Sequence, residues 1–232
     1  MKVEFIDHMG SDLSVVNAAR VSFDKESEWE IKFLNKDNGD HSFNLSNADT
    51  KLIKYLAKHN HWSPFAHTCV SMRIKAPIFV ARQLGKHQVG LVWNEVSRRY
   101  VDSEPEFYIP EAWRKRAENV KQGSSDEVAF TEEVAGFKDH CRFAKDFYQD
   151  LLDSGACPEQ ARMVLPQSMM TEWIWTGSML AFNRVCKLRL DSHTQKETQE
   201  IAKQIAEIIK PLFPVSWKAL MENGNDEKNY SL

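Results

Sequence analysis

Positively charged side chains are concentrated in residues 76–100 of this chain. Arg82, Lys86, Arg98 and Arg99 supply four positive charges there, and Glu95 is the one carboxylate among them. An arginine guanidinium can bind a phosphate through paired hydrogen bonds, so a cluster of this kind can hold an anionic ligand. The alternative is a solvated charged face, because most charge runs have no more specific function.

Three histidines at short spacing, His59, His61 and His67, suggest a metal site at first inspection. Pro64 lies between them, no regular element would bring their rings together, and the segment supplies no carboxylate ligand. Protein zinc sites need three or four ligands in a defined geometry. We therefore predict no metal site in this segment.

The four cysteines are Cys69, Cys141, Cys157 and Cys186. They form no Cys-x-x-Cys pair and have no histidine at zinc-site spacing, so we expect reduced thiols in a cytoplasmic protein. Cys157 precedes a proline and Cys186 lies in an apolar segment. Neither is predicted to be an activated nucleophile.

The composition is that of an ordinary globular domain. Of 232 residues, 42% are hydrophobic and 27% are charged, which is enough chain for a sizeable core. The formal net charge of −3 argues against a protein held to nucleic acid by its overall charge. The N-terminus lacks an apolar run typical of a signal peptide, and no stretch approaches about eighteen apolar residues, so no membrane span is expected.

Hydrophobic periodicity predicts the elements that position these residues. Alternation predicts strands near Val3–Phe5 and over 68–74, and a hairpin within 24–47 around the turn signal at 37–39. Apolar residues at helical spacing predict helices over 12–21, 48–58, 77–84, 137–152, 158–162, 168–188 and 196–210. Ser46 or Asn47 is the expected cap of the second helix, and Gly85 is the expected end of the third.

Residues 111–136 hold few large apolar residues, and we interpret them as a surface excursion or a short helix with a loop. The polar tail from Asn223 is expected to fray. The pattern predicts a single α+β domain over 1–232, in which helices pack against a small, mostly antiparallel sheet.

The basic stretch resembles the signature of the flavin-dependent thymidylate synthases. The matching positions are Arg82-Gln83, His87, Asn94-Glu95, Ser97 and Arg99-Tyr100. Three further segments are similar to elements of the same family, in the same order along the chain: 18–23, 159–166 and 188–195. The similarity covers most of the chain.

The resemblance implies an enzyme that converts dUMP to dTMP. In this family methylenetetrahydrofolate supplies the carbon, reduced FAD supplies the hydride, and NADPH reduces the flavin. The family needs no cysteine nucleophile, and its site is assembled from several subunits of a homotetramer. The implied partners are small molecules, with no nucleic acid and no membrane.

The resemblance also implies a set of dUMP contacts. Arg189 matches the residue credited with stabilising a deprotonated uracil, a task that suits a side chain that always stays protonated. His61 is implied to lie near the reacting rings and is the second catalytic candidate. Ser97 is a ligand contact and not a nucleophile in this interpretation. The dUMP positions are Gln83, Leu84, Gly85, Lys86, Glu95, Val96, Ser97, Arg98, Arg99, Arg162 and Arg189.

A second set of positions corresponds to flavin contacts in the family. They are Ser63, Lys86, His87, Gln88, Glu95, Ser178, Met179, Leu180 and Arg184. Lys86 and Gln88 stand where the family has two arginines. Lys86 keeps the positive charge but lacks the guanidinium fork, and Gln88 carries no charge. We expect weaker FAD retention than an Arg-His-Arg turn would give. No Gly-x-Gly-x-x-Gly follows a predicted strand, so a Rossmann site is not indicated.

Two other interpretations stay open at this stage. The chain could be a nucleotide-binding flavoprotein of the same fold whose synthase activity was lost or altered through Lys86 and Gln88. It could also be a non-enzymatic nucleic-acid module that uses the basic cluster at 82–99, although its net acidity counts against this.

Overall fold

Residues 1–35, 40–118 and 123–223 are described by the structure, a computed structural model of the chain. The strands are β1 (Lys2–Met9), β2 (Glu30–Asn35), β3 (Asp40–Asn44), β4 (Cys69–Pro77), β5 (Leu91–Glu95), β6 (Trp113–Arg116), β7 (Ser124–Phe130) and β8 (Met170–Gly177). The helices are α1 (Asp12–Arg20), α2 (Asn47–Lys58), α3 (Ile78–Leu84), α4 (Glu133–Asp153), α5 (Pro158–Ala161), α6 (Met179–Arg189), α7 (Lys196–Leu212) and α8 (Pro214–Glu222). Short 3₁₀ turns occupy Val21–Phe23, Ser63–His67 and Arg162–Val164.

The centre of the fold is an antiparallel sheet in which β1, β4, β8 and β5 lie side by side in that order. Alternate side chains of β4 are buried, and Ile74 pairs with Val3 on one side and Trp173 on the other. The buried face of this sheet packs against apolar residues of α1, α2, α3, α6, α7 and α8. The predicted α+β class with a small antiparallel sheet is confirmed.

The opposite face of the sheet is accessible in the single chain. Ile174 of β8 and Val92 of β5 are 45% and 67% exposed. Around them the face is polar: the hydroxyls of Ser71 and Thr176 form a hydrogen bond of 2.9 Å. Ile174 lies on an inner strand of this face and Val92 on its edge strand, and burying their apolar surface would be favourable.

Two β-hairpins project from this core. β2 and β3 pair antiparallel, as the alternation in 24–47 predicts, whereas the turn signal at 37–39 falls within 36–39, outside the described residues. β6 and β7 form a second antiparallel pair, so the helix-and-loop interpretation of 111–136 was wrong. Most described residues of this hairpin are exposed, so the alternation of apolar and polar residues in its sequence is weak. An edge-to-face contact between the rings of Trp113 and Phe137, with centroids 5.4 Å apart, attaches it to α4.

The predicted helix over 168–188 was also wrong in its first half. Residues 170–177 are strand β8, in which Thr171, Trp173 and Trp175 point to the buried face. The exposed Ile174 between the two tryptophans concealed the alternation, because an apolar run fits a strand and a buried helix equally well. The helix begins only after Ser178, whose Oγ accepts a hydrogen bond of 3.1 Å from the backbone of Ala181.

The remaining helices agree with the predicted ones, with two differences. Pro214 begins α8, which the sequence analysis missed because a proline after a helical pattern also fits the end of that pattern. On α4 the helical pattern predicts one apolar face that includes Phe143, Ala144, Phe147 and Tyr148. Ala144 and Tyr148 are buried together with Cys141, whereas Phe143 and Phe147 are exposed and stacked on each other. Among the described helices, none has the length and apolar content that crossing a membrane requires.

Candidate active site

A cavity of about 550 Å³ lies beside the end of β5. Ser97, Arg98 and Arg99 line it from the segment that follows this strand, and Arg162 lines it from the 3₁₀ turn after α5. The fold thus brings together predicted nucleotide contacts that are far apart in the sequence. A cavity with several guanidinium groups on its wall is suited to a phosphate-bearing ligand.

The charges of Arg99 and Arg162 are not neutralised by carboxylates of the described chain. The backbone N–H and Nε of Arg99 both donate to Ser97 Oγ at 3.3 Å, and its guanidinium lies 4.9 Å from the ring centroid of Tyr100. Arg162 Nε donates to the backbone carbonyl of Glu159 at 3.2 Å, and no ion pair with the Glu159 carboxylate is formed. Both guanidinium groups keep donors for a ligand.

Three of the four acidic residues that line the same cavity are already paired with a cation. Glu106 binds Lys75 at 2.7 Å, and Glu104 binds Lys145 at 2.6 Å. Glu172 forms an ion pair with Arg73. These carboxylates do not compete with an anion for Arg99 and Arg162, so the arginine side of the cavity remains electropositive.

Glu95 separates this cavity from a second one of about 420 Å³. Thr171 Oγ1 donates to Oε1 of Glu95 at 2.7 Å, and Trp93 Nε1 donates to Oε2 at 3.1 Å. Trp93 is itself stacked on Trp173 with the ring centroids 4.2 Å apart. Both oxygens of the carboxylate are therefore held, and Glu95 is a fixed wall between the two cavities.

The second cavity is formed by the turn after α3. Lys86, His87 and Gln88 line it together with Arg82 of α3. Lys86 and Gln88 are exposed, and His87 is half-buried. This turn therefore presents one lysine charge and two neutral polar side chains to the cavity.

Two glycines attach this turn to the start of α6. Gly90 has a φ of +76°, in the left-handed region, and its carbonyl accepts a hydrogen bond of 3.3 Å from the backbone of Ser178. A Cβ at Gly177 would lie 2.5 Å from the Gly90 carbonyl oxygen. Only glycine at position 177 allows so close an approach, and the turn is thereby fixed against the N-terminus of α6.

At the other end of α6, Arg189 reaches back to the same turn. Its Nε donates to His87 Nε2 at 3.0 Å, and its terminal nitrogen donates to the carbonyl of Gln83 at 3.4 Å. Burial, and then the positive charge of Arg189, lower the pKa of His87 below its usual value of 6.5. His87 is therefore neutral at pH 7 and can accept this hydrogen bond.

The amide of Gln83 is held at both ends. Its Nε2 donates to Gln195 Oε1, and its Oε1 accepts a hydrogen bond of 3.1 Å from Thr198 Oγ1. Thr198 is fully buried. The orientation of the Gln83 amide is therefore set by the first turn of α7.

Comparison with known proteins identifies the family. A family model described as "Thymidylate synthase complementing protein" matches residues 4–215. A flavin-dependent thymidylate synthase of Thermus thermophilus is 37% identical over 95% of this chain and 76% of its own length. That of Kosmotoga olearia is 36% identical over 94% of this chain and 89% of its own length.

The solved structures give the same result. The UMP/dUMP methylase PolB of Streptomyces cacaoi bound with 5-Br dUMP superimposes with a TM-score of 0.78 and 32% identity, covering 96% of this chain and 95% of that one. The same enzyme bound with 5-Br UMP gives a TM-score of 0.76 at 30% identity.

This chain belongs to the flavin-dependent thymidylate synthase family. The resemblance noted in the sequence is therefore confirmed, and it extends over nearly the whole chain, beyond the motifs that suggested it.

The single chain does not bring all the nucleotide positions predicted from the family together. Arg189 lines a third cavity, of about 510 Å³, together with Gln83, Arg114 and His193. Arg99 and Arg162 line the first cavity and not this one. The arginine predicted to act on the uracil and those predicted to bind the phosphate thus line different cavities of one chain.

Several family positions can contribute only through their backbone. The side chains of Leu84, Met179 and Leu180 are buried in the core, so they cannot contact a ligand in either cavity. Arg184 is exposed on α6, and Val96 is exposed beside Ser97. For Leu84, Met179 and Leu180 the sequence match could not show which atoms face a ligand, because it carries no information on side-chain direction.

Ser63 and His61 precede β4 in a segment that packs against α6 through its 3₁₀ turn. Both residues are exposed. His61 lies edge-on to Tyr55 at 5.9 Å, and His59 lies 4.4 Å from the same Tyr55 ring. The three histidines of 59–67 thus do not form a group of metal ligands; among the described residues, no cluster of His, Cys, Asp and Glu is suited to hold a metal ion.

None of the four cysteines lines the three cavities described above. Cys186 is buried in α6, and burial raises the pKa of its thiol well above the usual range. Its Sγ donates to the carbonyl of Ala202 at 3.5 Å. A thiol in this state is not a nucleophile.

The sequence analysis missed the residues that orient Gln83. Gln195 stands at the end of the matched segment 188–195, so its position in a motif was a usable signal. Thr198 carried no such signal, because a threonine in the first turn of a helix is common. Arg114 was also missed; it forms an ion pair of 2.8 Å with the buried Glu197.

Proposed function

We propose that this protein converts dUMP to dTMP, with methylenetetrahydrofolate as the carbon donor and with FAD, reduced by NADPH, as the source of hydride. The observation that carries the proposal is the cavity that Arg99 and Arg162 both line without carboxylate partners in the described chain. Family membership supplies the reaction type. A cytoplasmic location, expected from the cysteines, stays a prediction.

In this proposal the first cavity binds the phosphate of dUMP. The phosphate carries close to two negative charges at pH 7, and two guanidinium groups balance them through charge-assisted hydrogen bonds. Ser97 Oγ, which already accepts from Arg99, orients that side chain. No histidine lies within hydrogen-bond distance of Ser97 in the described chain, which favours a binding role for it over a nucleophilic one.

Arg189 is proposed to stabilise negative charge on the uracil ring. A fixed positive charge beside the ring favours its deprotonation and makes C5 electron-rich. The described chain provides no carboxylate partner that would neutralise Arg189, which donates to an imidazole and to a backbone carbonyl. Its full charge therefore remains available to the substrate.

Because Arg189 lies in a different cavity from Arg99 and Arg162, we propose that the complete site is formed between copies of this chain in a homotetramer. The accessible sheet face supports this proposal: Ile174 is exposed on the inner strand β8 and Val92 on the neighbouring edge strand β5. Burying such a face against a second copy is favourable, by about 25 cal/mol for each Å² of apolar surface removed from water.

The turn after α3 is the proposed flavin site, and the residues present fit such a group. Gly90 and Gly177 keep the backbone of the turn free of Cβ atoms where it meets α6. Lys86 supplies a charge for a pyrophosphate, and Gln88 and Ser178 supply polar contacts. When bound, the flavin would supply the hydride; the protein's part is to hold it beside Glu95, away from the thiols of the chain.

A second candidate function follows from Lys86 and Gln88. A chain that retains the nucleotide cavity but binds flavin weakly would be a nucleotide-binding flavoprotein without synthase activity. The observation in its favour is the loss of two guanidinium forks from the turn. A nucleic-acid module is less well supported, since the unpaired arginines line a cavity and do not form a continuous basic surface.

The test measures the flavin absorbance of the purified protein and then the reoxidation of its NADPH-reduced flavin. We expect reoxidation that requires both dUMP and methylenetetrahydrofolate, with formation of dTMP. Reoxidation by oxygen alone, unaffected by either substrate, would instead support the flavoprotein without synthase activity.

The matched variants are Arg162→Met and Arg116→Met. Both remove one exposed arginine, but only Arg162 lines the nucleotide cavity. We expect the first to raise KM for dUMP by about tenfold or more, and the second to leave it unchanged. Equal KM values in the two variants would contradict the assignment of this cavity to the phosphate.

A further inference from the structure

We propose that His87 is a positioning residue for Arg189, so that the turn at the flavin site also orients the guanidinium that acts on the uracil. The inference rests on the proposed function. It goes further by giving the imidazole of His87 a role in the nucleotide site, whereas the family resemblance assigns this residue to the flavin alone.

The geometry fixes the protonation state that this role requires. Arg189 Nε lies 3.0 Å from His87 Nε2, and a guanidinium nitrogen can only donate a hydrogen bond. Nε2 must therefore carry a lone pair, and the single ring proton must be on Nδ1. A second contact, from Arg189 to the carbonyl of Gln83 at 3.4 Å, comes from the same stretch of chain and holds the guanidinium in one plane.

A neutral acceptor suits this arginine better than a carboxylate would. A carboxylate would orient Arg189 equally well, but it would also neutralise the charge on which the uracil depends. An imidazole and a carbonyl fix the direction of the guanidinium and leave its charge unpaired. Preorganised charge of this kind is effective because it needs no reorganisation during the reaction.

Protonation of His87 would remove the acceptor and place a second positive charge next to Arg189. Of the charged groups around the pair, Arg82, Lys86 and Glu95 line the same cavity as His87, and Arg114 lines the cavity of Arg189. Arg114 is paired with Glu197, and Asp191, two residues after Arg189, is bonded to His193. Glu95 favours a charged imidazole, but its two oxygens are already bound by Thr171 and Trp93.

The experiment is a double-mutant cycle on dUMP affinity, measured at saturating FAD with the full-length protein. His87→Leu removes the acceptor, and His87→Gln restores one at a similar reach through its amide oxygen. We expect His87→Leu to weaken dUMP binding about tenfold or more, and His87→Gln to recover most of the loss. In an Arg189→Ala background, His87→Leu should change dUMP affinity by less than about twofold, since the residue it acts through is absent.

A pH series provides the second readout and remains informative if His87→Leu does not fold. The affinity of the unmodified protein for dUMP should fall more steeply than that of His87→Gln as the pH drops below about 6.5, because the lowered pKa of His87 delays protonation of its acceptor nitrogen to this range. The phosphate of dUMP titrates in this range in both proteins, so the difference between the two isolates His87.

Three outcomes would overturn the inference. The first is that His87→Leu changes dUMP affinity equally with Arg189 present and with Arg189→Ala. The second is that His87→Gln does not recover dUMP affinity. The third is that the unmodified protein and His87→Gln show identical pH profiles of dUMP affinity. If His87→Leu weakens FAD binding but leaves dUMP affinity unchanged when FAD is saturating, the role of His87 is limited to the flavin. Absence of dUMP binding by the unmodified protein would instead contradict the proposed function, so the two failures are distinguishable.

Discussion

Arg189 is the residue on which the proposed chemistry depends most directly. It is the last residue of α6 and bonds to the turn after α3, so two elements define where its guanidinium lies. Since burial lowers the pKa of Arg189 only from a very high starting value, the side chain stays charged at every pH at which the fold is stable.

Replacing Arg189 with alanine is expected to abolish dTMP formation while FAD remains bound. The reason is that the substitution removes the charge beside the uracil but changes no residue of the turn at 86–90. Turnover is measured as dTMP formed, and flavin content by absorbance after gel filtration. Arg189→Lys is the matched control and should keep part of the activity, because it retains the charge without the fork. Full turnover in purified Arg189→Ala would exclude this role.

Residue identities could be predicted where the chemistry restricts the choice. Arg99, Arg162 and Arg189 were predicted because they match arginines of the family's motifs; the structure places Arg99 and Arg162 in one cavity and Arg189 in another, and their roles stay predictions. Residues that act through another residue could not be found in this way. Thr198, which donates to Gln83, is indistinguishable in sequence from any threonine near a helix start, and only the fold shows its partner.

At the scale of elements, the contact between β8 and the turn after α3 defines one side of the proposed flavin site. The strand ends at Gly177, directly against the Gly90 carbonyl, and Ser178 then caps α6. Strand, turn and helix therefore meet at one point, and a change in any of them displaces the other two.

Gly177→Ala tests this contact. The added Cβ would lie 2.5 Å from a backbone oxygen, so the turn must move. We expect the free energy of unfolding to decrease by about 1–3 kcal/mol and flavin retention to fall. Gly136→Ala in α4 is the control, because a Cβ there meets nothing within 4 Å, and it should be neutral or slightly stabilising. Urea unfolding of both variants gives the comparison; equal stabilities would show that the turn accommodates the methyl group.

The turn itself offers a gain-of-affinity test. Lys86→Arg combined with Gln88→Arg restores two guanidinium forks and is expected to tighten FAD binding by roughly tenfold. The measurement is a fluorescence titration of the apoprotein with FAD. The control, Lys138→Arg with Gln149→Arg, adds the same groups at exposed positions of α4. If the control tightens FAD binding as much, the effect is one of net charge and not of the turn.

Helices and strands could be predicted from the sequence where their apolar residues are confined to one face. β4 alternates between buried and accessible residues, and α7 has isoleucines on one face, so both were found. β8 was not, because Ile174 is apolar on the accessible face of the sheet. The β6–β7 hairpin was missed for the opposite reason, since too few of its residues are buried to produce a pattern.

At the scale of the whole molecule, the accessible face of the central sheet is the feature that a monomer does not explain. Apolar Ile174 lies at its middle, and the predicted arginines are divided between cavities of the single chain. Both observations are accounted for when further copies of the chain cover this face and complete the site. The single-chain sequence contains no direct signal for such an assembly.

Ile174→Lys is expected to convert the proposed homotetramer into smaller species and to lower dTMP formation, because it places a charge in a buried interface. Sedimentation velocity measures the size distribution. Ile31→Lys, on the exposed β2 strand, adds the same charge elsewhere and should leave the size unchanged. If the Ile174→Lys protein keeps the size of the unmodified protein, this face is not the interface.

The position of Glu95 has a thermodynamic consequence for the two proposed ligands, the nucleotide and the flavin. One carboxylate, held through Thr171 and Trp93, is a shared boundary of both cavities, so a ligand that displaces it from one side alters the space available on the other. Linkage then makes the effect reciprocal: whatever factor the nucleotide contributes to retention of the flavin, the flavin contributes to retention of the nucleotide.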